Sequence, residues 1–134
     1  MKGLDPPRLL LVDDELDITQ PLKFGLQKKG FSVDAENDPV KAMANFRPDS
    51  YDIAIIDISM PEIDGFTLGR QIKEVDGDVH IVFLTALDVY KKEFSKMFPK
   101  MKVDGFLTKP MSIGDLVDHL NSILEHSLGD DSGR

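Results

Sequence analysis

Short apolar runs that alternate with segments of helical spacing constrain the fold of this chain more than any other feature. Four runs consist mostly of branched apolar residues, as strands buried on both faces of a parallel sheet require. They are Arg8–Val12, Ile53–Ile56, His80–Leu84 and Phe106–Thr108. A fifth run, Phe31–Ala35, alternates apolar and polar residues and is typical of an edge strand.

Each run is followed by a segment with apolar residues at helical spacing, such as Ile18, Leu22 and Leu26 after the first. The order strand then helix, repeated five times, predicts a three-layer α/β sandwich with right-handed crossovers. Pro21 lies inside the first helical segment and predicts a kink or a late start there. Pro99 lies in the segment Asp88–Lys102, so the fourth predicted helix should be short or irregular.

Length and charge narrow the class of protein. A chain of 134 residues fits one domain, and we expect an N-terminal extension over residues 1–7, a domain over residues 8–127 and a flexible tail over residues 128–134. The net charge of -8 repels phosphate backbones and argues against direct nucleic-acid binding. The sequence has no signal peptide and no apolar stretch long enough for membrane insertion, so we expect a cytoplasmic protein. The absence of cysteine excludes disulfides and thiolate metal sites.

Polar residues follow four of the five predicted strands at once. Asp13 and Asp14 follow the first, Asp57 the third, Thr85 the fourth and Lys109 the fifth. Because the carboxyl ends of parallel strands meet at one edge of a sheet, these side chains should converge there.

Three converging carboxylates would repel one another unless a cation joined them. Mg²⁺ fits, because it prefers hard oxygen ligands and is commonly held by one or two carboxylates plus a phosphate. A free oxygen of Asp57 is then a nucleophile toward phosphorus. The ammonium of Lys109 and the hydroxyl of Thr85 are suitable partners for the transferred oxygens.

The sequence resembles the response regulator receiver domains of two-component signalling systems from about Arg8 to Ser127. The resemblance rests on Leu11–Glu15, Ile56–Gly65, Leu84–Ala86 and Gly105–Pro110, in that order. It implies a flavodoxin-like, doubly wound, five-stranded parallel sheet of (βα)5 topology, with Asp57 as the phosphorylated residue. It also implies that Asp57, Asp13 or Asp14, and the carbonyl of Ser59 serve Mg²⁺, while Thr85 and Lys109 contact the phosphoryl group.

The resemblance extends to the signalling mechanism. It implies a sensor histidine kinase or phosphotransfer protein as donor, a switch made by Thr85 and Phe106, and a downstream effector protein as target. It favours a cis peptide before Pro110, which would aim Lys109 into the site. Leu87, two residues after Thr85, cannot orient a hydrolytic water, so we expect a long-lived phosphorylated state.

Other functions stay open at this point. A haloacid-dehalogenase-like phosphatase also uses an aspartyl nucleophile, but it needs a second acid where this chain has Ser59. A flavodoxin-like cofactor binder would need a phosphate loop where Asp13–Glu15 would repel phosphate. A degenerate receiver acting as an unphosphorylated scaffold is the main alternative to a signalling phosphoacceptor, which is not an enzyme in the usual sense. A homodimer through the last two predicted helices is also left open.

Overall fold

The computed structural model describes residues 5–60, 62–85, 96, 103–109 and 111–132, without the side chains of Thr85 and residues 126–132. Five parallel strands form one sheet in the order β2-β1-β3-β4-β5. The strands are β1 (Arg8–Val12), β2 (Ser32–Glu36), β3 (Ile53–Asp57), β4 (His80–Thr85) and β5 (Gly105–Thr108). The described helices are α1 (Leu16–Lys28), α2 (Pro39–Asn45), α3 (Gly65–Val75) and α4 (Ile113–Ser132).

This topology confirms the predicted doubly wound parallel sheet, with β2 at one edge. The prediction for a helix in Asp88–Lys102, including its relation to Pro99, falls outside the described residues apart from Lys96. Within the described ranges, no helix has both the length and the apolar character that a membrane span would need.

The sheet divides the apolar core into two layers, because successive side chains of a strand point to opposite faces. Leu9 and Leu11 of β1 pack with Leu116 of α4 on one face. Leu10 and Val12 pack with helices α2 and α3 on the other face. These four side chains of β1 are buried, as the continuous apolar run predicts for a central strand.

The helix ends follow local sequence signals. Asp38 caps α2 by accepting hydrogen bonds from the amides of Val40 and Lys41, and Pro39 occupies the first turn. The Oγ of Ser112 accepts a bond of 3.0 Å from the amide of Asp115 at the start of α4. In both helices the side-chain oxygen thus satisfies amides of the first turn that have no partner within the helix.

The observed bounds of two helices bear on the sequence predictions. Helix α1 begins at Leu16 and includes Pro21, so of the kink or late start expected there, the late start does not occur. The proline removes a single intrahelical donor, and the burial of Thr19 and Leu26 holds the helix on the sheet. Helix α4 continues to Ser132, so residues 128–132 extend the helix beyond the boundary expected at residue 127.

Carboxylates accept hydrogen bonds from backbone amides near the starts of two strands. Asp52 accepts a bond of 2.8 Å from the amide of Arg8, and Asp104 accepts one of 2.9 Å from the amide of Ile81. The second oxygen of Asp104 lies 3.0 Å from Nδ1 of His80. Burial alone would raise the pKa of Asp104, but the hydrogen bond and charge of His80 outweigh it and lower that pKa.

At the opposite edge, the connection from β3 to α3 passes very close to Asp57. The amide of Gly65 donates to the carbonyl of Ile58 at 2.9 Å. A Cβ atom on Gly65 would lie 2.7 Å from Cα of Ile58 and closer still to the carbonyl oxygen of Asp57. Only glycine therefore lets α3 begin beneath this loop.

We expect Gly65→Ala to lower the free energy of unfolding by on the order of 3 kcal/mol, because the methyl group would overlap backbone atoms that cannot move aside. Gly77→Ala is the matched control, since a Cβ there meets nothing within 4 Å. Urea unfolding of both variants measures the difference. Equal stability of the two variants would contradict the close approach at Gly65.

Candidate functional site

Four carboxylates gather where β1 and β3 end. Asp13, Asp14 and Glu15 follow β1, and Asp57 is the last residue of β3. One oxygen from each lies within 4.8 Å of the others. Asp13 and Asp57 are buried, with 0% and 5% of their surface exposed, whereas Asp14 and Glu15 are exposed.

Lys109, which follows the edge strand β5, brings a positive charge into this cluster. Its Nζ lies 2.8 Å from Oδ2 of Asp13, 3.6 Å from Oδ1 of Asp57 and 3.9 Å from Oε1 of Glu15. Lys109 follows β5, which is separated from β1 by β3 and β4. The side chain therefore reaches across two strands to the acids, and only 16% of it is exposed.

The surroundings of Asp57 raise its pKa above that of an ordinary aspartate. Burial raises the pKa of Asp57 most, and the charge of Asp13 raises it further; Lys109 and the backbone amide of Ser59 lower it, with the result that it lies at about 6. One ammonium does not compensate several nearby carboxylates.

The pKa of Lys109 is higher than that of an ordinary lysine. Burial alone would lower the pKa of Lys109, but the hydrogen bond from its ammonium to Asp13 and the charges of Asp57, Asp13 and Glu15 raise it. Lys109 therefore stays an ammonium at any physiological pH.

The chemistry of this cluster fits Mg²⁺. All four acids offer hard carboxylate oxygens, and their spacing allows several to approach one ion that needs oxygens at about 2.1 Å. Asp13 already accepts bonds from Lys109 and, at 3.0 Å, from the amide of Glu15. The exposed Asp14 lies where solvent can supply the water ligands that Mg²⁺ usually keeps.

The remaining predicted site residues lie around the same edge. The backbone amide of Ser59 hydrogen-bonds to the Asp57 carboxylate. Thr85 ends β4 in register with Thr108, but its side chain lies outside the description. Phe106 is half-buried, and its ring lies 5.4 Å from that of Phe83. The predictions for Leu87 and for the peptide before Pro110 fall outside the described residues.

Two features of the site were not predicted from sequence. Glu15 belongs to the cluster, although it was not assigned as a ligand; the three consecutive acids were the only signal, and their side-chain directions depend on the loop. Asn37, after β2, donates from Nδ2 to the carbonyl of Asp13 at 2.8 Å. An asparagine before a helix cap is so common in turns that its sequence position carries no such signal.

Comparison with known proteins identifies this arrangement. The family model described as the response regulator receiver domain matches residues 9–121. The chain belongs to the response regulator receiver family. This receiver domain is thus related to signalling proteins of two-component systems.

Relatives of this receiver domain include transcriptional regulators. It is 34% identical over 122 residues to the transcriptional regulatory protein TrcR of Mycobacterium tuberculosis, covering 91% of this chain and 47% of that protein. It is 32% identical to the transcriptional regulatory protein RprY of Bacteroides fragilis, and the match covers 91% of this chain and 51% of RprY. The chain spans about half the length of these curated relatives.

Solved structures share the fold. The response regulator TrrA of Thermotoga maritima, solved in complex with Mg²⁺-BeF, is 28% identical with a TM-score of 0.74, covering 87% of this chain and 98% of TrrA. A CheY-like receiver domain of Methanospirillum hungatei has a TM-score of 0.80 at 20% identity, covering 94% and 99%.

The raised pKa of Asp57 makes stability depend on pH in the absence of metal. Between about pH 4 and pH 6 the folded protein binds more protons at Asp57 than the unfolded chain does, so its contribution to stability falls as pH rises through this window. In EDTA at pH 8, Asp57→Asn should therefore raise the free energy of unfolding by on the order of 2 kcal/mol.

Urea unfolding between pH 4.5 and pH 8 checks this expectation. Asp118→Asn makes the same charge change at an exposed position of α4 and is the control. If Asp57→Asn retains the pH dependence of the parent protein, Asp57 does not carry a raised pKa.

Proposed function

We propose that this receiver domain accepts a phosphoryl group on Asp57, with Mg²⁺ held by the acid cluster, and that the modification changes its contact with a partner. The observation that carries the proposal is the Lys109 ammonium, which lies 2.8 Å from the buried Asp13 carboxylate and 3.6 Å from the buried Asp57 carboxylate. That TrrA, a relative in this family, was solved in complex with Mg²⁺-BeF supports it.

The residues present suit phosphoryl transfer in several ways. With a pKa of about 6, Asp57 is largely ionised at neutral pH and carries the electron pair that attacks phosphorus. As the new bond from its Oδ to phosphorus forms, the bond from phosphorus to the donor atom breaks, and the donor leaves with the electron pair of the broken bond. Mg²⁺, when bound, neutralises charge on the transferred oxygens; Asp13, Asp14, Asp57 and the Ser59 carbonyl would hold it.

Lys109 has two successive roles in this proposal. Before transfer, its ammonium compensates the buried pair Asp13 and Asp57. After transfer, the phosphoryl oxygens offer it a stronger charged acceptor, and the Thr85 hydroxyl offers them a further donor. Phe106, in contact with Phe83 and followed by the last residues of β5, would then repack with Thr85.

The partners follow from this chemistry and from the relatives. We propose a sensor histidine kinase or a phosphotransfer protein as donor, and a downstream effector protein as the target of a cytoplasmic signal. We propose no direct contact between these residues and nucleic acid, because their net charge of -8 repels phosphate backbones. The domain itself we place at residues 8–127, close to the matched range 9–121.

A small acyl phosphate with Mg²⁺ should label Asp57, because the cluster supplies metal ligands and nucleophile together. Intact-mass and peptide mass spectrometry measure the label, with EDTA and Asp57→Asn as the two negative controls. Labelling of Asp57→Asn to the parent level, or no Mg²⁺-dependent label on the parent, would favour an unphosphorylated scaffold instead.

Lys109→Ala should still be labelled on Asp57, but it should lose most of the phosphorylation-dependent changes in amide NMR shifts. The reason is that the Lys109 ammonium is the proposed hydrogen-bond donor from the end of β5 to the phosphoryl oxygens. Thr85→Ala should behave similarly. Lys28→Ala, which removes the same charge from an exposed position of α1, should retain the changes. Parent-like shifts in phosphorylated Lys109→Ala would contradict this role.

A further inference from the structure

The carboxamide of Asn37, after β2, connects the loop after β1 to the start of α1 beside the acid cluster. Its Nδ2 donates to the carbonyl oxygen of Asp13 at 2.8 Å and to Oγ1 of Thr19 at 2.9 Å. Thr19 is 1% exposed, and its hydroxyl donates in turn to the carbonyl of Leu16 at 3.3 Å. Both amide hydrogens of Asn37 are therefore used, one on the loop after β1 and one on the first turn of α1.

The backbone of Asp13 is held on both sides by this arrangement. Its amide donates to the carbonyl of Glu36 at 3.3 Å, and its carbonyl accepts from Asn37. The first bond holds the peptide that connects Val12 to Asp13, and the bond from Asn37 holds the peptide that connects Asp13 to Asp14. Because Asp14 follows directly, the direction in which its carboxylate leaves the backbone depends on the same peptide.

The chemical type of residue 37 suits this position. A carboxamide offers two donors without charge. A carboxylate would present oxygens to the Asp13 carbonyl and to the acid cluster, and a lysine or arginine would compete with a metal ion for the same acids. Asparagine therefore orients the loop while leaving the negative charge of the cluster available.

We propose that Asn37 is a positioning residue that sets the divalent-cation affinity of the acid cluster through the orientation of the Asp13–Asp14 peptide. The inference rests on the proposed function. Asn37 touches none of the reacting atoms, so its effect reaches them only through Asp13 and Asp14. Outer contacts of this kind typically change metal affinity by about 10–100-fold when removed.

Isothermal titration of the metal-free protein with Mg²⁺ tests the inference directly. Asn37→Ala should weaken Mg²⁺ binding about tenfold. The Mg²⁺ concentration that half-saturates labelling by an acyl phosphate should rise by the same factor, while the rate at saturating Mg²⁺ stays within about twofold of the parent.

A second readout needs no metal. The amide of Glu15 donates to Oδ1 of Asp13, so in EDTA its hydrogen exchange should quicken in Asn37→Ala if the loop loses its orientation. Ser112→Ala is the stability control, since it removes one uncharged capping bond from α4, a helix that carries none of the four acids. It should change neither the exchange of Glu15 nor the affinity for Mg²⁺.

Thr19 provides a matched pair of variants should Asn37→Ala fail to fold. Thr19→Val removes the hydroxyl that anchors Asn37 and should weaken Mg²⁺ binding several-fold, whereas Thr19→Ser keeps it and should bind like the parent. Equal affinity in the two Thr19 variants, or parent-like affinity in a folded Asn37→Ala, overturns the positioning role. A parent protein that binds no Mg²⁺ at all overturns the proposed function itself, which distinguishes the two failures.

Discussion

The ammonium of Lys109, set between the buried carboxylates of Asp13 and Asp57, is the interaction on which the functional edge of this protein depends. Two ionised carboxylates this close together and this deeply buried would otherwise repel each other strongly. Since Lys109 follows β5 and Asp13 follows β1, the contact also links strands that are not neighbours in the sheet.

The acids at the starts of the strands differ from those at the carboxyl ends in how well donors and cations match them. Where the strands begin, Asp52 meets the amide and guanidinium of Arg8, and Asp104 meets His80 and the amide of Ile81. These acids are matched by donors and stabilise the strand starts. Where the strands end, carboxylates outnumber the cations described around them, so that edge has the unsatisfied charge that a metal ion and a phosphoryl group would use.

The fold was predictable because burial on both faces leaves a clear trace in a sequence. The run His80–Leu84 differs from β4 by one residue, and the alternating run at Phe31–Ala35 gave β2 with a shift of one residue. The convergence of Asp13, Asp57 and Lys109 followed from parallel topology alone. The positions of Glu15 and Asn37 depend on how a loop turns and on side-chain directions, which no periodic pattern encodes. Of the two outcomes expected at Pro21, a kink or a late start of α1, the late start did not occur, because a proline removes one donor and tertiary burial outweighs that loss.

The polar face of β2 bears on how copies of this protein behave when concentrated. An outermost strand offers unpaired backbone groups to any other strand, which is the usual beginning of sheet-to-sheet polymerisation. Ser32, Asp34 and Glu36 point to one face of this strand, and Asp34 is held in place by the hydroxyl of Tyr51 at 2.7 Å. Two copies meeting along this strand would bring like charges together and strip water from them. The same alternation that marks β2 as an outermost strand therefore discourages aggregation through it.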